Sequence, residues 1–212
     1  MEPAGLKKDL ENKPTSWYSE SMSSDTASRI LDTAQQLIVA KGYNAFSYAD
    51  IAEVVGISKP SIHFHFATKA ALVHKLLERY RDTLKASLEQ LAQNIPGPLE
   101  QLRAYAGYWE NCIRDNSAPF CLCAMLASEL LSLPQEVAAQ VKLYFGELEG
   151  WLMSVLEQGA AQGQFKLARA AAAEAESFMA STHGAMLSAR VFGDADVFAR
   201  IVGEAIERLR TK

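Results

Sequence analysis

Apolar residues recur at steps of three and four along most of the chain, with polar residues between them. The first such run, from Ala27 to Ile38, places its apolar side chains on one face of a helix. Ser24 is a plausible cap for this helix, and Gly42 is a plausible stop. Because no stretch alternates convincingly with the period of two typical of strands, we predict an all-α chain with about nine helices.

Two short helical patterns follow the first helix and are separated by one tight turn. Ser47 and Asp50 have the spacing of a capping box, which starts one helix, and Gly56 supplies the left-handed residue that ends it. Ser58 then caps a very short helix with Pro60 in its first turn, where a missing N–H costs little. Two short helices joined in this way predict a helix-turn-helix.

Breaks rich in Pro, Gly, Asn and Asp divide the rest of the chain into further helices. We predict a flexible tail over residues 1–23, a helix-turn-helix domain over 24–68 and a larger helical domain over 69–212. The helices predicted in the larger domain are Lys69–Gln93, Leu99–Arg114, Pro119–Leu133, Pro134–Gln162, Ala168–Phe192 and Asp194–Arg210.

Charge is distributed unevenly along the 212 residues, although the formal net charge is only -4. No Asp or Glu occurs between Glu53 and Glu78, a window that contains three lysines and three histidines. A locally basic face on a mildly acidic protein is compatible with DNA binding, because the local field attracts the phosphates. The alternative is chance in a short window.

Composition and motifs argue against several other classes of protein. Hydrophobic residues make up 49% of the chain, and three cysteines do not suggest a disulfide framework, so a reducing cytoplasm is the expected location. No apolar run is long enough to span a membrane. We find no motif of an enzyme and no metal-ligand spacing, and Cys121 and Cys123 point to different helix faces. The sequence therefore predicts no catalytic residue, metal or cofactor.

The short helix after Gly56 is the predicted recognition helix, which enters the major groove and presents its first residues to the base edges. Lys59, Pro60, Ser61 and His63 are placed for the bases, and their neighbours are placed for the phosphate backbone. The alternative is an ordinary helical hairpin with solvated polar faces. The candidate DNA-binding residues are Ser47, Tyr48, Ser58, Lys59, Pro60, Ser61, His63, Phe64, His65 and Lys69.

The stretches "RILDTAQQLIVAKGYNAFSYADIAEVVGIS" and "KPSIHFHFATKAAL" resemble the N-terminal domain of the TetR/AcrR family of bacterial transcriptional regulators. The resemblance implies an all-helical homodimer, with a three-helix DNA-binding domain and a larger ligand-binding and dimerisation domain. Lys69 matches the lysine that usually contacts phosphate in this family. His63 departs from the family's usual tyrosine, and Phe64 has no group that bonds a phosphate, so operator preference does not carry over from relatives.

"CLCAMLASEL" and "GAMLSAR" resemble a subgroup of that family with NemR-like electrophile sensors and AcuR-like regulators. A cysteine of that subgroup matches Cys121, and Arg190 stands where the NemR-like members have lysine. If Ser117 caps a helix from Ala118, Cys121 lies near its positive end, which lowers a thiol pKa and predicts a chemical sensor. The competing interpretation, which we favour, is a small, inert, buried cysteine.

The larger domain offers candidates for an apolar ligand pocket and for a dimer interface. Most such aromatic residues simply form the core, and the last two helices are equally able to pack within one subunit. The candidate ligand-binding residues are Tyr105, Tyr108, Trp109, Cys112, Cys121, Met125, Phe145, Trp151, Phe178 and His183, for a hydrophobic or aromatic ligand. The candidate dimerisation residues are Ala180, Gly184, Ala185, Ser188, Ile201 and Ala205.

These observations together predict a cytoplasmic, homodimeric regulator that binds double-stranded operator DNA and a small-molecule effector. A repressor released from its operator by a small molecule or a reactive electrophile is the function we favour. An activator of the same fold stays open, because the sign of regulation is not written in the sequence. A helical ligand-binding protein with a vestigial DNA-binding domain also stays open.

Overall fold

A computed structural model describes the backbone of residues 16–211 and the side chains of residues 25–211. This part of the chain folds into nine α-helices and one short 3-10 helix, which confirms the predicted all-α class. None of the helices described is long and apolar enough to cross a membrane. The helices are α1 (Ser16–Lys41), α2 (Tyr48–Val55), α3 (Lys59–His65), α4 (Lys69–Asn94), α5 (Pro98–Arg114), α6 (Leu122–Ser128), a 3-10 helix (Leu130–Ser132), α7 (Gln135–Ala161), α8 (Ala171–Phe192) and α9 (Ala195–Leu209).

Helix α1 is longer than the sequence pattern predicts. It begins at Ser16 instead of Ser24, so the predicted flexible tail over residues 1–23 extends too far. The segment from 16 to 23 contains neither Gly nor Pro, the residues that most strongly interrupt a helix. Once the apolar run from Ala27 to Ile38 forms a packed helix, adding further turns at its N-terminal end is easier than starting a new helix. Residues 1–15 of the predicted tail lie outside the described residues.

Helices α1 to α3 and the first turns of α4 pack around apolar side chains that include Ile38, Ile51 and Ile62, all fully buried. The local signals that build this unit are those predicted. The Ser47 hydroxyl accepts from Ala49 N at 3.2 Å, and Asp50 Oδ2 accepts from Ser47 N at 2.7 Å, which completes a capping box. These bonds fix where α2 starts relative to α1.

The turn between α2 and α3 also follows the predicted chemistry. Gly56 ends α2 with φ at 75°, a left-handed conformation that glycine adopts without a Cβ penalty. The Ser58 hydroxyl accepts from Ser61 N at 3.3 Å, and Pro60 lies in the first turn of α3. The turn therefore sets the orientation of α3 on the surface.

Helix α4 connects this N-terminal unit to the bundle formed by α5 to α9. The middle of α4 is fixed to α7 by a partly buried ion cluster. Arg81 Nε donates to Glu147 Oε2 at 2.9 Å, Arg81 Nη1 donates to Gln140 Oε1 at 2.6 Å, and Lys85 lies 3.0 Å from Glu147. Because hydrogen-bonded, partly buried ion pairs are stronger than exposed ones, this cluster holds the two helices in one register.

The single helix predicted over Pro119–Leu133 is wrong. Residues 115–121 form a loop after α5, α6 covers only Leu122–Ser128, and a 3-10 helix follows. The Ser128 hydroxyl donates to Met125 O at 2.6 Å, and the Ser132 hydroxyl donates to Glu129 O at 2.9 Å. Side-chain bonds of this kind compete with the helical ladder, which accounts for the short segments.

Candidate nucleic-acid interface and effector cavity

The start of α3 presents the residues predicted to face DNA. Lys59, Pro60 and Ser61 are all exposed, while Ile62 behind them is fully buried and fixes which side of α3 faces outward. Because the cap at Ser58 orders the first turn, these side chains stand on a rigid surface. A short exposed helix supported in this way has the geometry for insertion into a major groove.

His63 and Tyr48 form a contact between α3 and α2. Their rings are 4.7 Å apart in an edge arrangement, and His63 Nδ1 lies 3.2 Å from Ala67 O. The Tyr48 hydroxyl donates to Phe66 O at 2.9 Å, so it already holds the end of α3. His63 itself is exposed, and its Nε2 is the atom left to meet a base or a phosphate.

The aromatic end of α3 is open to solvent. Phe64 is 83% exposed, and its ring contacts the ring of His65 at 5.4 Å. An exposed ring without a polar atom has apolar contacts to offer, such as a thymine methyl or a sugar. Phe64 therefore lies on the predicted surface but contributes no hydrogen bond.

Lys69 does not project from the surface as the predicted phosphate contact would. Its ammonium donates to Phe46 O and stands over the rings of Tyr43 and Phe46, at 4.6 and 4.2 Å from their centres. Burial lowers the pKa of Lys69, against the opposing influence of Glu129 and Asp50. In this structure Lys69 joins the start of α4 to the turn before α2, and a phosphate contact would require its side chain to swing out.

One carboxylate joins the larger domain to the turn between α1 and α2. Glu129 Oε1 accepts from Tyr43 N at 2.8 Å, and Glu129 Oε2 accepts from Asn44 N at 3.1 Å and from Asn44 Nδ2 at 2.7 Å. Gly42 allows this approach, because a Cβ there would lie 2.0 Å from Glu129 Oε1, and its φ is 84°. We call this arrangement the Glu129 link.

Arg190 forms a second bridge between the same two domains. Its Nη2 donates to Ala40 O at 3.3 Å near the end of α1, and its guanidinium lies 5.5 Å from the centre of the Phe120 ring. A cation at the C-terminal end of a helix is favourable, because the carbonyls there carry partial negative charge. The residue singled out by the subgroup resemblance is thus a bridge to α1.

A cavity of about 220 Å³ lies between α4, α5 and α7. Three of the predicted ligand residues line it, namely Tyr105, Tyr108 and Trp109. Sequence reasoning missed Tyr144 and the contribution of α4. The periodicity of Tyr80, Leu84, Leu88 and Leu91 at steps of three and four was the available signal. The lining residues are Tyr80, Thr83, Leu84, Ser87, Leu88, Leu91, Ala104, Tyr105, Tyr108, Trp109 and Tyr144.

Cys121 lies beside this cavity, and its position and burial differ from those that the sensor prediction assumes. It precedes the first residue of α6 instead of lying one turn inside a helix, and it is fully buried. Burial raises the pKa of the Cys121 thiol, although the hydrogen bond to Tyr144 opposes this. Arg114, the nearest cation at the end of α5 in sequence, pairs with Glu110 and Asp196, at 2.9 and 2.8 Å. The favoured interpretation, a buried cysteine, agrees with this environment.

The other predicted ligand residues do not line that cavity. Trp151 packs on Tyr105 at 5.4 Å, and His183 packs on Phe145 at 5.3 Å, which makes them part of the surrounding core. Phe178 lines a separate groove of about 300 Å³ beside α8 and α9. Cys112 is buried within the subunit, and Met125 packs on the core at the side of α6.

Helices α8 and α9 pack along each other and leave an outer face on which most of the predicted dimerisation residues lie. Ala180 and Gly184 are exposed, Ile201 is 38% exposed, and Ser188 and Ala205 are partly buried. Large apolar side chains are also exposed at the end of α8, where Val191 is 69% and Phe192 72% exposed. Ala185 is the exception and corrects the prediction, because it is fully buried inside its own subunit.

Clusters suited to a metal ion are not found in the described part of the chain, where no three His, Cys, Asp or Glu side chains come together. The three cysteines are all free and buried. The exposed α3 surface and the aromatic cavity are the features of residues 25–211 that suit DNA and an apolar ligand.

Comparison with known proteins gives matches over most of the chain. Residues 30–76 match the family model described as bacterial regulatory proteins of the tetR family, and residues 98–204 match a tetracyclin repressor-like C-terminal domain. A TetR-family regulator from Agrobacterium tumefaciens has a similar structure, with a TM-score of 0.87 and 51% sequence identity. That match covers 89% of this chain and 100% of the other.

Two curated relatives carry names that describe opposite regulation. The repressor KstR2 of Mycobacterium tuberculosis is 26% identical over 137 residues, which are 65% of this chain and 68% of that protein. The activator FasR of Mycolicibacterium smegmatis is 30% identical over 115 residues, which are 54% of this chain. The chain spans about half the length of FasR, since the match covers 51% of it.

The subgroup resemblance has a structural counterpart at low identity. NemR from Escherichia coli, in its reduced form, matches with a TM-score of 0.76 and 19% identity, over 88% of this chain and 98% of that chain. At this identity the likeness shows the fold alone, and the chemistry of Cys121 is decided by its own surroundings.

Proposed function

The chain belongs to the TetR family of DNA-binding transcriptional regulators, which are not enzymes, and we propose that it is a dimeric repressor released from its operator by a small molecule. The α3 surface would read the operator, and the effector would occupy the cavity between α4, α5 and α7. The observation that carries this proposal is the exposed, acid-free start of α3 on a rigid three-helix support.

The charges around α3 are those of a DNA-binding surface and differ from those of an ordinary solvated helix, where acidic and basic residues are mixed. Lys59 is exposed at the first position of α3, and the described window between Glu53 and Glu78 contains no carboxylate to repel phosphates. The nearby carboxylate of Asp50 is neutralised by Lys41 at 2.5 Å. A DNA duplex carries about one negative charge for every 1.7 Å of its axis, so a small basic surface is sufficient for the first contact.

The outer face of α8 and α9 supports the proposal of a homodimer. Its exposed apolar side chains include Val191, Phe192 and Ile201, and burying them against a partner subunit would be more favourable than leaving them in water. A twofold interface buries the same face of both subunits, so two α8–α9 pairs would form a four-helix arrangement. Such a dimer would present two recognition helices to major grooves about 34–36 Å apart.

The Glu129 link supplies a route from the cavity to the DNA-binding domain. Tyr144 lines the cavity and accepts a hydrogen bond from Cys121 at 3.5 Å, and Cys121 immediately precedes α6. Glu129 follows the last residue of α6 and holds the backbone at Tyr43 and Asn44. An effector that moves Tyr144 would therefore act on α6 and, through Glu129, on the position of α2 and α3. A ligand shifts DNA affinity by its differential binding energy, typically about 1–3 kcal/mol.

Activation is the second candidate, and the similarity to the activator FasR is the observation that favours it. Repression by a TetR-like regulator requires only that the bound dimer blocks the promoter, whereas activation requires a contact with the transcription machinery. The name of KstR2 as a repressor, over a longer share of this chain, supports repression.

Fluorescence anisotropy with a labelled duplex from upstream of the protein's own gene tests the proposal. At low salt we expect binding that unlabelled upstream DNA displaces more than tenfold better than scrambled DNA, because base contacts add specificity to the phosphate contacts. Equal displacement by both would contradict operator recognition, and no binding at all would favour a vestigial domain. Transcription in vitro from the same duplex, with and without the protein, separates repression from activation.

A further inference from the structure

Two tyrosines that line the cavity, Tyr80 and Tyr144, indicate by their hydrogen bonds the kind of effector that fits it. The Tyr80 hydroxyl donates to Cys121 Sγ at 3.9 Å, and the Cys121 thiol donates to the Tyr144 hydroxyl at 3.5 Å. The hydroxyls of Tyr80 and Tyr144 are therefore both bonded to the thiol of Cys121. Sulfur is a weak acceptor and S–H is a weak donor, so neither hydroxyl has a strong partner.

Buried tyrosine hydroxyls usually have a good hydrogen-bond partner, because leaving one without it costs free energy. Tyr144 is 1% exposed, and burial raises its pKa and that of Tyr80 well above their ordinary values, so both stay protonated donors. A carbonyl oxygen has two lone pairs and accepts from two hydroxyls at once. It would replace a weak sulfur contact by stronger bonds.

The walls of the cavity determine the rest of the molecule. None of the described lining residues carries a charge, and leucines of α4 face the rings of Tyr105 and Trp109. A carboxylate would enter this space without a cation to pair with, at a large cost in desolvation. Flat apolar bodies suit such walls, since rings pack well against aromatic and aliphatic side chains.

We infer that the effector is a neutral ketone or a similar carbonyl compound with an aromatic body, whose oxygen is bound by the hydroxyls of Tyr80 and Tyr144. This inference deepens the proposed function, because it names the ligand chemistry of the same cavity. Binding alone tests it, so its failure would leave DNA recognition by α3 untouched.

Equilibrium dialysis with three matched naphthalenes provides the test. The probes are 2-acetylnaphthalene, 2-ethylnaphthalene, which lacks the oxygen, and 2-naphthoate, which carries a negative charge. We expect the ketone to bind about tenfold more tightly than the hydrocarbon, the effect of one or two added hydrogen bonds. We expect the carboxylate to bind more weakly than either. Equal binding of ketone and hydrocarbon, tighter binding of the carboxylate, or no binding of the ketone would overturn the inference.

Two variants connect this difference to the named hydroxyls. Tyr80→Phe and Tyr144→Phe should each weaken the ketone about fivefold to tenfold and leave the hydrocarbon within twofold, which also shows that the cavity is intact. Tyr43→Phe is the matched control, because it removes a tyrosine hydroxyl outside this cavity, beneath the Lys69 ammonium, and should leave the affinity for the ketone unchanged. Unchanged ketone affinity in both Tyr80→Phe and Tyr144→Phe would assign the oxygen to other partners.

Aromatic walls also attract cations through the faces of their rings. A fourth probe, the trimethylammonium derivative of naphthalene, therefore belongs in the same dialysis experiment. The donors at Tyr80 and Tyr144 disfavour a cation, so it should bind more weakly than the ketone. If this cation binds more tightly than the ketone, the inference of a carbonyl ligand is wrong and a quaternary amine is the better ligand class.

Discussion

The two lysines near α3 look alike in sequence and differ in the structure. Lys59 is exposed, whereas the Lys69 ammonium is engaged by Phe46 O and two rings. Lys59→Ala should leave thermal unfolding unchanged and reduce the slope of log affinity against log salt by about one.

Lys69→Ala should weaken binding to all DNA sequences alike. It should also lower the free energy of unfolding by about 1–2 kcal/mol, because it removes a charge-assisted hydrogen bond. An unaltered melting temperature for Lys69→Ala would place that side chain in solvent instead.

His63 is the residue expected to influence sequence preference. It is exposed on α3, and its contact with Tyr48 at 4.7 Å fixes the direction of the ring. His63→Ala should change the ranking of operator variants by about 1–3 kcal/mol at one base position while nonspecific affinity stays within a few tenths. The measurement is competition by a set of single-base operator variants. An identical ranking in parent and variant would remove His63 from base reading.

Cys121 is expected to resist alkylation near neutral pH. Its thiol is fully buried, and burial raises its pKa, so the thiolate that reacts forms only at high pH. After N-ethylmaleimide at pH 7.5, mass spectrometry should find Cys121 unmodified in the folded protein and modified in denaturant. Modification should increase as the pH rises toward the raised pKa. Rapid alkylation at pH 7.5 with loss of DNA binding, absent in Cys121→Ser, would restore the sensor hypothesis.

At the scale of residues, exposure could be predicted where a periodic pattern decides it, as at Lys59 and Ile62. The hydrogen-bond partners of long side chains could not be predicted from the sequence. Lys69, Arg114 and Arg190 each bond a group far away in sequence or across a turn, and only the packed helices determine which.

Among elements, the connection from α6 to the turn after α1 is the one most open to test. Glu129→Gln keeps the size of the side chain but replaces one acceptor by a donor that faces the N–H groups of Tyr43 and Asn44. Hydrogen exchange at these two amides should accelerate more than tenfold, because their acceptor is lost. Operator affinity should change in the same variant, since α2 is positioned from this turn.

Glu157→Gln is a suitable control for Glu129→Gln. It makes the same change of charge at an exposed position near the end of α7, in the same larger domain as Glu129. Exchange at Tyr43 and Asn44 should equal that of the parent in this control. If hydrogen exchange at Tyr43 and Asn44 in Glu129→Gln equals that of the parent, the Glu129 link does not hold the turn.

Element boundaries were predicted best where local chemistry determines them. The capping box at Ser47 and the left-handed Gly56 define the ends of α2 in both the sequence and the structure. The region of α6 was predicted poorly, because its interruption depends on Ser128 and on the engagement of Glu129 with the other domain. The cavity was predicted in part for a similar reason: periodicity identifies an apolar face, but not which faces meet.

For the whole molecule, the outer face of α8 and α9 predicts the oligomeric state. Ile201→Glu places a charge on this face and should yield monomers in sedimentation velocity at micromolar concentration. These monomers should bind a two-half-site operator at least tenfold more weakly. Leu131→Glu makes the same change on a fully exposed leucine of the 3-10 helix and should remain dimeric. A dimeric Ile201→Glu protein would locate the interface elsewhere.

Selection from a random duplex library tests operator reading by a dimer most directly. The purified protein is bound to the library at low salt, and the retained DNA is sequenced after several rounds. Two copies of α3 related by a twofold axis predict an enriched inverted repeat, with half-site centres separated by about one helical turn or a multiple of it. Failure of any sequence to be enriched, or enrichment of a lone half-site, would contradict a homodimer that reads its operator through α3.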